Sequence, residues 1–94
     1  MKANLTNLRK ALKASADAHN VDFHWWRNDG QITLRSEAVP VLADVQMICR
    51  AFYGHDSMVE TGYGYTIVWL GNGFMENVNE VTLALALPYG TKLD

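Results

Sequence analysis

The chain has 94 residues, of which 49% are hydrophobic and 11% are aromatic. This length predicts a single domain over residues 1–94, and the large apolar and aromatic share excludes a disordered chain. The formal net charge is −2, and no apolar run approaches the roughly 20 residues that span a bilayer. The single cysteine, Cys49, excludes an internal disulfide, and the first residues lack the apolar stretch of a signal peptide. We therefore expect a soluble, cytoplasmic protein with no membrane partner.

The first predicted element is an amphipathic helix over residues 4–19, with Asn4 or Thr6 as its N-terminal cap. Its apolar residues recur every three or four positions, as in a helix with one buried face: Leu5, Leu8, Leu12 and Ala16. Four of the eight basic residues lie in the first thirteen positions: Lys2, Arg9, Lys10 and Lys13. Their side chains predict a solvated basic face on this helix.

A β-hairpin is predicted over residues 21–27 and 31–35, because Asp29-Gly30 favours a two-residue type I′ turn. That loop sets the register of the cross-strand pairs: Trp26 with Thr33, and Trp25 with Leu34. Side chains alternate across a strand, so one face holds Phe23, Trp25, Ile32 and Leu34. The other face holds His24, Trp26, Thr33 and Arg35. Trp26 is therefore the candidate for an exposed aromatic residue.

A second helix is predicted over residues 39–53, with Pro40 in its first turn and Gly54 at its C-terminal cap. Its apolar stripe consists of Val41, Val45, Ile48 and Phe52. The rest of the chain is β-like. The predictions in chain order are a strand over 57–61, a break or bulge at Gly62-Tyr63-Gly64, a strand over 65–70 buried on both faces, a turn at 71–73, and a strand over 81–87.

The order of these elements, α-β-β-α-β-β, predicts an α+β fold. Its architecture is a two-layer sandwich, in which two helices pack on an antiparallel sheet of about four strands. One extra short strand is compatible with the pattern of the second half. The order also suits a permuted ferredoxin-like arrangement.

The residue types that carry catalysis or bind metals do not form a recognisable motif. His19, His24 and His55 lack metal-ligand spacing, and no cysteine pair completes a site. Cys49 with His55 is the one thiol–imidazole candidate, but the C-terminal end of a helix disfavours a thiolate. We expect no metal, no cofactor and no catalytic function. The alternative is an enzyme whose site is assembled by folding from His24, His55 and scattered carboxylates.

The best candidates for a functional surface are the aromatic residues, because interface centres are rich in tryptophan, tyrosine and arginine. The candidate partner-binding residues are Trp26, His24, Arg35, Tyr63 and Tyr53. We therefore expect a small non-enzymatic domain that binds another protein, as an inhibitor or accessory protein. A homodimer through the strand over 81–87 is one form of such binding, since an apolar edge strand needs cover.

Nucleic-acid binding is the alternative function. Arg9, Lys10 and Lys13 would supply cations for phosphates, and Trp26 would stack on a base. Against this alternative, the chain after position 13 carries four basic and ten acidic residues.

Overall fold

The computed structural model describes residues 3–75, which form two helices and a four-stranded antiparallel sheet. In chain order the elements are α1 (Leu5–Ala18), β1 (Phe23–Trp26), β2 (Gln31–Leu34), α2 (Val39–Tyr53), β3 (Val59–Gly62) and β4 (Tyr65–Trp69). This order confirms the predicted α+β fold. The predicted strand over 81–87, and with it the homodimer that it would form, lies outside the described residues.

Both helices begin and end close to the predicted positions. Of the two candidate caps of α1, the chain uses Asn4, whose side-chain oxygen accepts a hydrogen bond of 2.9 Å from the backbone N–H of Asn7. Pro40 lies in the first turn of α2, and Gly54 ends that helix in the left-handed conformation, with a φ of 81°. Within residues 3–75, no helix is long and apolar enough to cross a membrane.

The strands lie in the order β1-β2-β4-β3, and every neighbouring pair is antiparallel. Because β2 and β3 are both antiparallel to β4, they run parallel to each other on its two sides. They are joined through α2, which makes a split β-α-β unit. This connection is the one that the permuted ferredoxin-like arrangement requires.

The core lies between the two helices and one face of the sheet. Its largest side chains are fully buried: Leu8, Leu12, Ile32, Leu34, Val45, Ile48, Phe52 and Val68. The predicted stripes of both helices are therefore confirmed as core positions, except for Leu5, which is only partly buried. Trp25 and Phe23 of β1 lie on the same face and pack against this cluster, as the alternation of the hairpin predicted.

The predicted register of the first hairpin is wrong by two residues. Trp26 pairs with Gln31 rather than Thr33, and Trp25 pairs with Ile32. The loop has four residues instead of two, because Arg27–Asp29 form one turn of 3₁₀ helix that Gly30 closes with a φ of 62°. Side chains alternate with a period of two, so this shift leaves each of them on its predicted face.

Of the break or bulge predicted at Gly62-Tyr63-Gly64, the structure shows the break, in the form of a tight turn between two strands. Gly62 pairs directly with Tyr65, and Tyr63-Gly64 is the two-residue loop of the β3–β4 hairpin. Both loop residues have positive φ, 56° and 85°, which is the signature of a type I′ turn. The glycines therefore serve a tight hairpin that continues the sheet.

β4 was predicted to be buried on both faces, and the structure shows one buried face. Thr66 and Val68 are fully buried against the helices, whereas Tyr65 and Trp69 on the other face are exposed. The reason is that both helices pack on the same side of the sheet. An antiparallel sheet with one covered face has alternating burial along its strands.

We predict opposite effects of two substitutions in the Tyr63-Gly64 turn. Tyr63→Asn should stabilise the fold by about 0.5 to 1 kcal/mol, because asparagine tolerates a left-handed backbone better than tyrosine. Gly64→Ala should destabilise it by about 1 kcal/mol or more. No atom lies within 4 Å of a Cβ built at Gly64, so the loss would come from the backbone alone. Denaturant unfolding measures both changes, and equal effects of the same sign would contradict the turn assignment.

Candidate functional site

The sheet face opposite the helices carries most of the exposed aromatic side chains. We call it the open face, and its residues are His24 and Trp26 on β1, Gln31 and Thr33 on β2, Glu60 on β3, and Tyr65, Ile67 and Trp69 on β4. Nothing in residues 3–75 packs over this face, since both helices lie on the other side. Among the described residues, its large aromatic side chains are therefore exposed.

Two tryptophans dominate the open face. Trp26 is 44% exposed and Trp69 is 45% exposed. The indole N–H of Trp26 donates a hydrogen bond of 3.1 Å to Thr33 Oγ1, and that of Trp69 donates one of 2.6 Å to Glu60 Oε1. Because both N–H groups are satisfied within the sheet, the remaining surface of each ring is apolar. Such rings gain free energy when a partner removes them from water.

The register places the two indoles on either side of β2. Gln31 pairs with Trp26 on one side and with Trp69 on the other. Strands are about 4.8 Å apart, so the two tryptophan Cα atoms are separated by about 10 Å. The ring of His24 lies against Trp26, with 4.0 Å between the ring centroids. The two bulky groups thus border a strip of smaller side chains on the middle of the sheet.

The open face carries few charges. Glu60 lies on β3, and Arg35 follows β2 with its guanidinium 4.0 Å from the carboxylate of Asp22. No cluster of like charges forms among these described residues. The charges of the face are therefore isolated, and they lie on the edge strand β3 and at the end of β2.

Four of the five predicted partner-binding residues are exposed. His24 and Trp26 are in contact on the open face, and Arg35 lies at the end of the strand beside them. Tyr63 is fully exposed at the tip of the β3–β4 hairpin, at the end of the sheet. The structure thus brings together only part of the predicted set.

Tyr53 is the predicted anchor that the structure contradicts. It is only 5% exposed, because it ends α2 beneath the chain that follows β4. Its hydroxyl donates a hydrogen bond of 3.1 Å to the carbonyl of Gly71, and its ring stacks on Phe74 with centroids 4.5 Å apart. Burial raises the pKa of this phenol. Tyr53 is therefore a structural residue.

Sequence reasoning missed all three residues that β4 contributes to the open face: Tyr65, Ile67 and Trp69. They were assigned to a strand buried on both faces, since every residue from Tyr65 to Leu70 is apolar, aromatic or β-branched. The one signal within this strand was that Tyr65 and Trp69 both occupy odd positions, which places them on one face but does not show whether that face is covered. In an antiparallel sheet, side chains at alternate positions share a face.

The basic residues of α1 lie on the other side of the sheet from Trp26. Arg9, Lys10 and Lys13 line a shallow hollow of about 250 Å³ with Thr6 and Phe23. The Arg9 guanidinium lies 3.8 Å above the ring of Trp25, and Lys13 forms a 2.6 Å ion pair with Asp17. The structure thus brings the three cations together but separates them from the aromatic residue with which they were expected to act.

A serine, a histidine and an aspartate converge between α1 and α2. The Ser15 hydroxyl and the His19 Nε2 bond the same oxygen of Asp44, at 3.0 Å and 2.8 Å. A hydrolytic triad instead places the histidine between the serine and the acid. Ser15 is also fully buried. This cluster joins the two helices and does not activate the serine as a nucleophile.

The thiol–imidazole candidate does not form a reactive pair. Cys49 is fully buried, and burial together with the charge of Asp56 raises the pKa of its thiol to about 12. His55 is exposed and bonds the Ser57 hydroxyl at 2.8 Å. Over residues 3–75, no group of three or more His, Cys, Asp or Glu side chains is placed to hold a metal ion.

No family model, no curated protein and no solved structure matches this chain. A fold alone does not define a function, so the functional conclusion must come from the chemistry of the open face.

We predict that the polar cluster between the helices contributes to stability. Asp44→Ala should lower the free energy of unfolding by about 2 kcal/mol, because it removes the acceptor of the fully buried Ser15 hydroxyl. Ser15→Ala should cost less than about 1 kcal/mol, since it removes the donor itself. Chemical denaturation of the two variants measures which of them loses more free energy of unfolding. A larger loss for Ser15→Ala would be inconsistent with this role.

We predict that stability falls as the pH rises from about 9 toward 12. The thiol of Cys49 ionises near 9.0 when unfolded and at about 12 when folded. In this interval the unfolded chain has released a proton that the folded chain retains, so increasing pH favours unfolding. Denaturant titrations at pH 7 and pH 10.5 measure the loss, which should be smaller in Cys49→Ala. An identical pH dependence in both proteins would contradict the assignment.

Proposed function

We propose that this chain is a non-enzymatic protein-binding domain, an inhibitor or accessory protein that contacts its partner through the open face. The observation that carries the proposal is the pair of half-exposed tryptophans, Trp26 and Trp69, whose N–H groups are bonded within the sheet. A single exposed apolar side chain is ordinary on a protein surface. Several large ones on one face of a sheet are typical of a binding surface.

The composition of the open face favours a protein partner. Tryptophan, tyrosine and arginine are the residues that most often dominate the binding energy of protein interfaces. Trp26, Trp69 and Tyr65 provide such anchors within one sheet face, and Arg35 lies at its end.

The placement of the charges disfavours a nucleic-acid partner. Binding to phosphates depends on cations beside the stacking aromatic rings. Here Arg9, Lys10 and Lys13 lie along α1, on the opposite side of the sheet from Trp26. Glu60 places a carboxylate directly at Trp69, where a phosphate would be repelled. We therefore rank nucleic-acid binding second.

We predict that Trp26→Ala and Trp69→Ala each weaken partner binding by about 2 kcal/mol, as expected of interface anchors. The matched control is Met47→Ala, which removes a similarly exposed apolar side chain from α2, away from the open face. Affinity capture from lysate, with and without nuclease, compares the variants by quantitative mass spectrometry. Circular dichroism should show that all three retain the fold.

Two results would contradict the proposal. In the first, the proteins captured by Trp26→Ala and Trp69→Ala are unchanged. In the second, capture is lost on nuclease treatment and on changing Arg9, Lys10 and Lys13 to glutamate, which would favour nucleic-acid binding instead.

A further inference from the structure

The open face carries an imidazole at one edge and a carboxylate at the other. One row of side chains crosses the sheet in register: His24 pairs with Thr33, Thr33 with Ile67, and Ile67 with Glu60. The row begins with an imidazole on β1, at one edge, and ends with a carboxylate on β3, at the other edge. An imidazole and a carboxylate form a favourable hydrogen bond when they meet.

We propose that a second copy of this chain binds the open face, and that the two sheets pack face to face about a two-fold axis parallel to the strands. The inference rests on the proposed function, since it assigns the partner of that same face. Such an axis places β1 of one copy over β3 of the other and β2 over β4, at the same level along the strands. His24 of each copy then lies over Glu60 of the second copy.

The other rows of the open face are complementary under the same operation. At the level of Trp26 and Trp69, Gln31 on β2 faces Trp69 of the second copy on β4. One step beyond the pair of Leu34 and Thr66, Arg35 faces the exposed ring of Tyr65 in the second copy. An amide and a guanidinium both pack well on aromatic rings. Each of the three rows thus contains one favourable pair.

The alternative in-plane axis, perpendicular to the strands, is disfavoured by the same register. It places each strand over the same strand of the second copy, so that the two Glu60 side chains lie opposite each other, as do the two His24 side chains. Like charges placed directly opposite each other across an interface weaken association.

The size of the open face implies a weak and reversible dimer. Four strands about 4.8 Å apart and four or five residues long give a face of about 19 by 15 Å. Stable interfaces bury about 800 Å² on each partner, and this face is smaller. We therefore expect a monomer–dimer equilibrium that depends on concentration.

A charge-exchange experiment tests the second copy as partner. Sedimentation equilibrium on the full chain, from about 5 μM to about 500 μM, should show self-association of the wild type. Glu60→Arg and His24→Glu should each weaken it at least about tenfold, because each homodimer then contains two unfavourable contacts. The control Met47→Glu places a charge on α2 and should leave association unchanged.

The decisive sample is an equimolar mixture of Glu60→Arg and His24→Glu. In their heterodimer, one contact is the native histidine with glutamate and the other is the introduced glutamate with arginine. Association should therefore return to within about threefold of the wild type. The loss of the Trp69 hydrogen bond in Glu60→Arg is present both before and after mixing, so it cannot produce the recovery.

Each remaining outcome overturns the inference. A wild type that stays monomeric at every concentration excludes the second copy, as does a mixture that fails to associate. If capture of another protein still depends on Trp26 and Trp69 in that case, the proposed function stands and only the second copy is excluded. If capture is independent of both tryptophans, the proposed function and the inference of a second copy both fail.

Discussion

Two helices can cover only one face of a four-stranded sheet, and this chain places large apolar side chains on both faces. Period-two alternation sends Ile32, Leu34 and Val68 toward the helices, where they are fully buried. The same alternation sends Trp26 and Trp69 to the opposite side, where they remain half exposed. The core and the candidate site are therefore two consequences of one pattern, and neither can change register without the other.

The tryptophan side chains of the open face are held in position by hydrogen bonds within the sheet. Both exposed indole N–H groups have acceptors on neighbouring strands, and Thr33, the acceptor of Trp26, is itself nearly buried. Over residues 3–75, every buried side-chain nitrogen and oxygen atom has a hydrogen-bond partner. The rings are therefore held in place over the sheet by internal bonds. Binding to such a preorganised face loses less conformational entropy than binding to mobile side chains.

Much of the fold follows from local signals that tertiary structure does not override. The Asn4 cap, Pro40 and Gly54 defined the helix ends, because caps depend on a few adjacent residues. Asp29-Gly30 was misleading, since Arg27–Asp29 form a 3₁₀ turn and only Gly30 has positive φ. The face assignment of Trp26 survived that error because the register moved by two residues.

The candidate site was harder to predict than the fold. Whether β4 has one or two covered faces depends on where both helices pack, and no pattern within residues 65–70 contains that information. For the same reason Tyr53 was expected on the surface, although the chain after β4 returns to the end of α2 and buries it. Alternation predicts which residues share a face, but only the packing of distant elements determines which face is exposed.

The central claim is that the open face binds a protein partner, whereas Trp25 lies on the covered face and has a structural role. The chain has three tryptophans, Trp25, Trp26 and Trp69, so their indole N–H signals can be resolved by nitrogen-15 NMR. We predict that the Trp26 and Trp69 signals shift across a concentration series, while the Trp25 signal stays in place. Shifts confined to Trp25 would contradict the account, whereas three signals that do not change up to the highest concentration would exclude a second copy as the partner of the open face.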